Sequence, residues 1–300
     1  MLQKKQLSIL IPSYNNVCTG LVEELSRQAE SLVAQGLCYE ILVADDGSDD
    51  ATSLGLNERI NTLPCSTFIK HTPNVGRARI RNFLLQQSRY QWLLFIDSDM
   101  TVYRHDFLSK YLSSMGEGVV YGGVSMDMAD DSDRHNLRYI YELCAEPDHT
   151  TDKRMAQPYH HFHTANFLVA RGVMLAHPFD QRFRNYGYED VLLGKQLKRD
   201  AVSIQHIDNP VSFQHFENNL HFVEKTEEGL RTLWQFHDEL AGYNAVLDLL
   251  LRLPQPIRAM IRLMYRTFGP ATRRNLAGKR PWLTLFNIYK LGYLATISKK

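Results

Sequence analysis

The feature that most constrains the fold of this chain is a short apolar run that ends in two carboxylates. Trp92-Leu93-Leu94-Phe95-Ile96 has the length and composition of a buried strand, and Asp97-Ser98-Asp99 follows it directly. Burying an unpaired carboxylate costs several kcal/mol, so both acids are expected to meet water or a cation where the strand ends. Carboxylate oxygens suit Mg²⁺ or Mn²⁺, usually together with substrate phosphates. The alternative is a solvated turn whose acids cap the next helix.

Three earlier runs continue this pattern and predict a parallel sheet. Strands are expected at 7–11, ended by Pro12, at 39–44 and at 67–69, and helical spacing covers 20–35 and 77–88. Strands that alternate with helices in this way form a parallel sheet covered by helices on both faces. The polar clusters that follow these strands should therefore share one sheet edge, where such sheets bind ligands. They are Ser13-Tyr14-Asn15, Asp45-Asp46 and Asp97-Ser98-Asp99.

After about residue 120 the alternation fades. Helices are expected at 134–144 and 190–198, and strands at 166–170 and 202–207, with an irregular lid at 146–162. One long helix, or two joined helices, is expected over 220–251, followed by amphipathic pieces at 256–267 and 282–297.

Charge is distributed unevenly along the chain. Residues 251–300 hold 11 Lys or Arg and no Asp or Glu, interleaved with apolar residues such as Ile257, Leu263 and Phe268. This pattern is typical of a helix that lies on an anionic membrane surface. It is equally typical of a helical subdomain that packs on the core and turns a basic face outward. No nucleic-acid-binding motif accompanies the charge, so no nucleic-acid partner is predicted.

Cysteine usage and the N-terminus indicate a cytoplasmic location. The four cysteines are scattered without a C-x-x-C pair and are expected to be small buried residues in a reducing compartment. Residues 1–5 lack the apolar core of a signal peptide, and no apolar run reaches the ~18 residues of a transmembrane helix. The chain is therefore expected to be cytoplasmic. The basic tail, residues 252–300, is expected to hold it peripherally on the inner face of the membrane.

Four segments, in this order, resemble the family 2 glycosyltransferases, which have the GT-A fold. They are Leu7–Asn15, Ile41–Ser48, the stretch from Asn74-Val75-Gly76 through Arg81-Asn82 to Asp99, and Asn185-Tyr186-Gly187-Tyr188-Glu189-Asp190. The resemblance covers roughly residues 6–216 and leaves the region after 219 unexplained. It implies an α/β, Rossmann-like nucleotide-binding sheet with an acceptor-side extension and a C-terminal helical region. The expected domains are 1–120 for the nucleotide sugar, 121–218 for acceptor and catalysis, and 219–300 as a basic helical region.

The resemblance also implies a donor site. Asp99 is expected to bind the metal directly, whereas Asp97 is expected to act more often through water or the ribose hydroxyls. His215 is a candidate third ligand, although a histidine flanked by aromatic residues is more often a packed core residue. Pro12, Ser13, Tyr14 and Asp46 resemble the family's nucleoside cradle, and Ser98 and Arg81 complete the donor set.

Two of these donor residues have plain structural alternatives. Residues 45–48 can form a turn and an N-cap without binding anything. Arg77 and Arg81 share a helix face and Arg79 points away, so one of the pair can meet base or phosphate. For each arginine taken singly, a solvated side chain is the alternative.

The fourth segment is expected to carry the chemistry. By the resemblance Asp190 is the general base of an inverting displacement, and Glu189 binds the acceptor or the donor sugar. A helix dipole stabilises both acids as anions, and a base must be ionised to accept the proton of a sugar hydroxyl. The alternative is a common pair of first-turn helix acids.

Together these features predict an inverting glycosyltransferase that depends on Mn²⁺ or Mg²⁺. It is expected to move a hexosyl or N-acetylhexosaminyl group from a nucleotide-sugar donor, a UDP-sugar, to a glycan or lipid-linked saccharide in surface polysaccharide synthesis. A nucleotidyltransferase usually has a glycine-rich, basic loop after the first strand, where this chain has Pro12–Asn16. A non-catalytic membrane-associated nucleotide- or glycan-binding protein is the other alternative.

Overall fold

The computed structural model of the protein describes residues 5–130, 133–213 and 215–298. Most of the N-terminal stretch that lacks a signal-peptide core, residues 1–4, lies outside them. Within the described residues no helix is both long enough and apolar enough to cross a membrane. The strands are β1 Lys5–Ser13, β2 Leu37–Asp46, β3 Ser66–His71, β4 Trp92–Ile96, β5 Met100–Thr101, β6 Val119–Tyr121, β7 Val124–Ser125, β8 Asn166–Ala170, β9 Ile204–His206 and β10 Val211–Phe213.

Helices follow or separate these strands along the chain. They are α1 Thr19–Val33, α2 Ala51–Asn57, α3 Arg77–Gln87, α4 Phe107–Ser113, α5 Leu137–Ala145, α6 Thr151–Ala156, α7 Arg171–Ala176, α8 Glu189–Arg199, α9 Asn219–Gln235, α10 His237–Leu240, α11 Ala245–Arg252, α12 Gln255–Leu276 and α13 Leu283–Ile297. The described residues also include 3₁₀ helices at Glu58–Thr62 and Glu146–Asp148.

The chain divides into two units. The first contains 1–128, 148–184 and 193–214, and the second contains 129–147, 185–192 and 215–300. The first unit holds a seven-stranded sheet in the order β3-β2-β1-β4-β8-β6-β9 and a three-stranded sheet in the order β5-β10-β7.

Four strands of the large sheet run in the directions that the sequence predicts. β1 pairs in parallel with both β2 and β4, and β2 pairs in parallel with β3. The chain enters the sheet again at β8, which is antiparallel to both of its neighbours. The centre of the sheet is fully buried, and the rings of Phe95 and Phe167 stack with centroids 4.9 Å apart across the β4–β8 pair. Because β1, β2 and β4 are parallel and packed in this buried centre, their carboxyl ends lie at one edge of the sheet.

Several local predictions from the sequence need correction. Pro12 does not end β1, because its neighbour β4 pairs only as far as Leu10 and the missing N–H can face a side without a ladder. Residues 146–162 are not wholly irregular, since they include α6. The helices α4 and α7 were not predicted. Of the four free cysteines only Cys18 is buried.

The second unit is a helical packing around α9 and α13. Its apolar core contains Leu137, Phe222, Val223, Leu276, Phe286 and Tyr289. The basic tail therefore contributes to the helical core of the second unit. One face of α12 nevertheless takes no part in this packing.

Candidate functional site

The loops after β1, β2 and β4 are tied together at one edge of the first unit's sheet. Asn15 donates from its backbone N–H to Ser48 Oγ at 2.8 Å, and its side-chain amide donates to Asp49 at 2.6 Å. Asn16 donates from Nδ2 to the carbonyl of Ser98 at 2.7 Å. The β1 loop is thus held against both neighbouring loops, which brings Ser13, Tyr14, Asp46 and Ser98 to a common edge. Tyr14 is 50% exposed there and presents its ring to solvent.

The two acids that end β2 have different hydrogen-bond partners. Asp45 accepts hydrogen bonds from the backbone N–H and the hydroxyl of Ser48, and so forms the turn. Asp46 accepts from the backbone N–H groups of Val75 and Gly76 at 2.8 and 2.9 Å. Burial raises the pKa of Asp46 above its ordinary value, against these two hydrogen bonds, which lower it.

The structural alternative for residues 45–48 is therefore met only in part. Asp45 makes the predicted turn, but the N-cap of α2 is Asp50, which accepts from Thr52 and Ser53. Asp46 serves neither purpose and instead holds the turn that precedes α3.

Two glycines let these turns approach closely. Gly47 has φ +72°, and a Cβ there would come within 2.6 Å of the Asn74 nitrogen. Gly76 has φ +90°, and a Cβ there would come within 2.5 Å of the carbonyl oxygen of Arg184. A side chain at Gly47 would push the β2 loop away from the turn before α3, and one at Gly76 would push that turn away from Arg184.

Arg81 is paired with the first acid of the Asp97-Ser98-Asp99 triplet. Its guanidinium is 2% exposed, and Nη2 lies 2.5 Å from Asp97 Oδ1. Cζ also lies 5.5 Å from the centroid of the Phe179 ring. The solvated alternative for Arg81 is therefore wrong, because its side chain is buried between Asp97 and the Phe179 ring. Arg79, on the other face, lines a separate cavity of about 430 Å³.

Asp99 differs from Asp97 in having no partner among the residues that the structure describes. Asp97 and Asp99 are both partly exposed, but across the described ranges no hydrogen bond or ion pair involves the Asp99 carboxylate. The backbone N–H of Met100 donates to the Asp97 carbonyl at 3.2 Å, which closes a turn over Ser98. The turn thus presents one carboxylate that is already neutralised by an arginine and one that is not.

Replacing Arg81 by Met is expected to lower the free energy of unfolding by about 3 kcal/mol, because it leaves Asp97 beside an apolar helix face without its cation. Adding Asp97→Asn should recover part of that loss. Urea unfolding of both single variants and the double variant gives a double-mutant cycle, in which a coupling above ~1 kcal/mol is expected. Additive effects of the two substitutions would show that the pair does not contribute to stability.

Glu189 and Asp190 belong to the second unit, where they begin α8. The preceding residues Gly187 and Tyr188 have φ +97° and +71°, which turns the chain sharply into the helix. Glu189 is buried, and Asp190 accepts from the backbone N–H of Val191 at 2.8 Å. The turn is anchored by Tyr186, whose N–H donates to Glu228 of α9 at 3.0 Å. Both acids stand in the first turn, where the helix dipole favours their ionised form.

His215 is exposed and lies in the second unit, so its predicted ligand role stays a prediction. Within the described residues, no three side chains of the His, Cys, Asp or Glu type form a cluster that could by itself hold a metal ion.

The first unit contains a buried arginine, Arg154, that the sequence analysis did not predict as important. Arg154 is 4% exposed and donates to the carbonyls of His149 and Ile207 at 2.9 and 3.0 Å. Nη1 faces His206 Nδ1 at 3.3 Å, and burial lowers the pKa of His206 to about 4, with Arg154 adding to the effect. His206 is therefore neutral at ordinary pH. No pattern in the sequence singles out Arg154, since its partners are mostly backbone carbonyls far along the chain.

Asn166 at the start of β8 organises the adjacent glycines. It is fully buried, donates to the carbonyls of Gly123 and Asn209 at 3.1 and 2.9 Å, and accepts from Tyr111 at 2.6 Å. A Cβ on Gly122 would come within 2.3 Å of the Asn209 carbonyl oxygen. The segment that follows β6 is thus fixed by amide hydrogen bonds.

Comparison with protein families gives a match to the model described as "Glycosyl transferase family 2", over residues 8–175. A curated protein of Haemophilus influenzae named "Uncharacterized glycosyltransferase" is 34% identical over 95 residues. That match covers 31% of this chain and 29% of the relative's length.

Solved structures with a similar fold cover nearly the whole chain. The mannosyltransferase PcManGT from Pyrobaculum calidifontis, in complex with GDP-Man and Mn²⁺, is 14% identical with a TM-score of 0.55, and the match covers 99% of this chain and 88% of that one. TarS 1-349 of S. aureus, in complex with UDP-GlcNAc, is 14% identical with a TM-score of 0.52, over 98% of this chain and 91% of that one. At this identity the likeness establishes the fold alone, which is mixed α/β and of the GT-A type.

Proposed function

Because the chain belongs to glycosyl transferase family 2, we propose that it is a metal-dependent, inverting glycosyltransferase that uses a nucleotide-sugar donor. The observation that carries the donor site is the edge of the first unit's sheet, where Tyr14, Asp46, Asp97 and Asp99 follow parallel strands whose loops are hydrogen-bonded together. Such an edge offers an aromatic face, a buried carboxylate and a free carboxylate to one ligand.

The free carboxylate of Asp99 fits a divalent cation that arrives with a diphosphate. Mg²⁺ and Mn²⁺ are usually held by one or two carboxylates together with substrate phosphates, and the absence of a three-ligand cluster among the described residues agrees with that kind of site. Such a cation would neutralise the charge of the leaving diphosphate. Asp97, held by Arg81, would act through water or the ribose hydroxyls, and His215 stays a candidate further ligand.

The nucleoside would lie on the β1 and β2 loops. Tyr14 offers a half-exposed ring for stacking, while Pro12 and Ser13 place it at the end of β1. Each oxygen of Asp46 accepts one backbone N–H and keeps a second lone pair that can accept from the base or the ribose. Ser98 presents its backbone between the two acids.

Asp190 would act as the general base and Glu189 would bind a sugar. Asp190 already accepts one backbone hydrogen bond at a helix N-terminus, which favours the ionised form that a base needs. Deprotonation of the acceptor hydroxyl as it attacks the anomeric carbon gives inversion in a single displacement. The bond between the anomeric carbon and the acceptor oxygen would form as the bond to the diphosphate oxygen breaks. The proton of the acceptor hydroxyl would pass to Asp190.

The finer specificity is also part of the proposal. We infer a UDP-sugar donor carrying a hexosyl or N-acetylhexosaminyl group, and a glycan or lipid-linked saccharide acceptor in surface polysaccharide synthesis. The related structures contain GDP-Man in one case and UDP-GlcNAc in another, so both bases belong in the test. A cytoplasmic enzyme held on the inner membrane face by residues 252–300 would be close to a lipid-linked acceptor.

The first experiment is hydrolysis of a panel of UDP- and GDP-sugars by the full chain, with Mn²⁺ and then with EDTA. Slow release of one nucleotide that requires the metal and stops with EDTA is expected. Release that EDTA does not affect would contradict the metal-dependent site. If the chain binds a nucleotide sugar but does not turn it over, even with candidate acceptors, the enzyme proposal is wrong and a non-catalytic binding protein is the better description.

A further inference from the structure

Helix α12 has one side that packs within the second unit. The Tyr265 ring lies 5.4 Å from the ring of Tyr289 on α13, and a Cβ on Gly269 or Gly292 would meet the Tyr265 ring at 3.0 Å or less. Arg273 donates from Nε to Glu227 of α9 at 2.8 Å. These contacts fix which way the helix faces, and they account for its buried residues, Gly269 and Leu276.

The opposite side of α12 exposes a row of large apolar side chains, which we name the outer face. The spacing of three, four and seven residues places most of the row along one stripe of an α-helix. Its members are Ile257, Met260, Leu263, Met264 and Phe268, and they are 39%, 55%, 66%, 53% and 62% exposed. Single exposed apolar residues are ordinary, whereas five on one helix mark an interaction surface. The packing of the second unit does not explain them.

The next helix has a different character, although its Ile288 is 59% exposed. Phe286, Tyr289 and Leu294 of α13 are buried in the second unit, so the amphipathic pattern of that segment is used for packing. Of the two apolar segments in the tail, α12 is therefore the one that offers a continuous surface. Trp282, in the connection between the two helices, is a further exposed apolar side chain at 66%.

The positive charge of the tail favours an anionic surface as the partner of the outer face. Residues 251–300 contain 11 basic and no acidic side chains. Arg262, Arg266 and Arg274 of α12 have no ion pair within the described part of the chain. By helical spacing Arg274 lies beside the outer face, whereas Arg262 and Arg266 share the stripe of Tyr265 and Gly269. An anionic surface complements both features, because apolar side chains can enter the acyl boundary while arginines meet lipid phosphates. A second copy of the chain would instead bring two uniformly basic helices together, at an electrostatic cost.

We propose that α12 is the membrane-docking element, which lies along an anionic phospholipid bilayer with its outer face inserted at the headgroup–acyl boundary. This inference rests on the peripheral membrane association in the proposed function and assigns it to one face of one helix. Arg274, beside the outer face, would extend to the phosphate level while the apolar row is buried, and the remaining positive charge of the tail would attract the anionic surface at longer range.

Flotation of the full chain with lipid vesicles tests the assignment without any donor or acceptor. The protein is expected to float with vesicles of phosphatidylcholine and phosphatidylglycerol, and far less with phosphatidylcholine alone or in high salt. The variant carrying Met260→Ser, Leu263→Ser, Met264→Ser and Phe268→Ser should bind the anionic vesicles at least ~10-fold more weakly. These positions are exposed, so its thermal unfolding should match that of the wild type.

A matched variant controls for the loss of apolar surface. It carries four serine substitutions at exposed apolar positions outside the tail, at Val33, Leu56, Leu143 and Leu175, which are 42–46% exposed. It should bind vesicles like the wild type. A further variant, Arg262→Gln with Arg266→Gln and Arg274→Gln, should lose the preference for anionic lipid.

Three outcomes would overturn the inference. They are a wild type that stays out of the vesicle fraction, a four-serine α12 variant that binds like the wild type, and a wild type that dimerises through α12 without binding vesicles. Nucleotide release, measured without vesicles, separates this result from the proposed function. Nucleotide release without vesicle binding would support the glycosyltransferase and contradict the docking face. Vesicle binding without nucleotide release would support the docking face and contradict the glycosyltransferase.

Discussion

The Asp99→Asn variant is expected to lose at least ~100-fold of the metal-dependent release of nucleotide from its donor. Asparagine keeps the size of the side chain but removes the one carboxylate in the 97–99 turn that has no partner in the described structure. The residual rate should no longer respond to Mn²⁺ or EDTA, and metal-dependent binding of the nucleotide should weaken with it. Stability should change little, because no interaction of this carboxylate holds the fold.

A matched control for this variant is Asp238→Asn, at an acid whose side chain is 90% exposed in the second unit. It should behave like the wild type in release, nucleotide binding and metal response. Metal-dependent release by Asp99→Asn at more than half the wild-type rate would remove Asp99 from the metal site. Asp97→Asn would then be the next variant to test, despite its pairing with Arg81.

The Asp190→Asn variant is expected to lower kcat by about 10²–10⁴-fold, the usual contribution of a general base, with little change in nucleotide binding. Its amide oxygen can still accept the Val191 N–H at the start of α8, so the helix should begin as before. The separation of kcat from nucleotide Kd distinguishes it from Asp99→Asn, which is expected to lose both.

Asp152→Asn provides the comparison for Asp190→Asn, because Asp152 is also an acid in the first turn of a helix, α6, and it is exposed. If the two variants retain the same activity, Asp190 is an ordinary first-turn acid and not the base. If Asp190→Asn instead loses nucleotide binding along with turnover, its role is in binding the donor.

The edge of the sheet could be predicted from sequence because the signals for it are local. Three of the strands are largely apolar runs of five or six residues with a polar cluster just after them, and parallel strands separated by helices place those clusters at one edge. The helices α3 and α8 were located within one or two residues for the same reason. Short helices such as α4 and α7 carry too few apolar periods to be recognised.

Interactions between segments distant along the chain could not be predicted in this way. The pairing of Arg81 with Asp97 depends on how α3 packs beside β4, and a spacing of 16 residues does not encode it. The antiparallel entry of β8 beside β4 joins residues about 70 positions apart. Arg154 was missed because its donors meet backbone carbonyls, for which side-chain identity gives no signal. The exposure of the outer face of α12 likewise depends on which side of the helix the rest of the second unit covers.

The helix α3 links the two acids at the sheet edge. Asp46 holds the N–H of Gly76, which caps α3, and five residues further on Arg81 holds Asp97. A ligand at Asp46 and a cation at the 97–99 turn would therefore act on two positions of one short helical segment. Any change in affinity that one occupant causes at the other site is by thermodynamic reciprocity the same in both directions. Measuring the nucleotide Kd with and without Mn²⁺, and the Mn²⁺ Kd with and without nucleotide, should therefore give one and the same ratio.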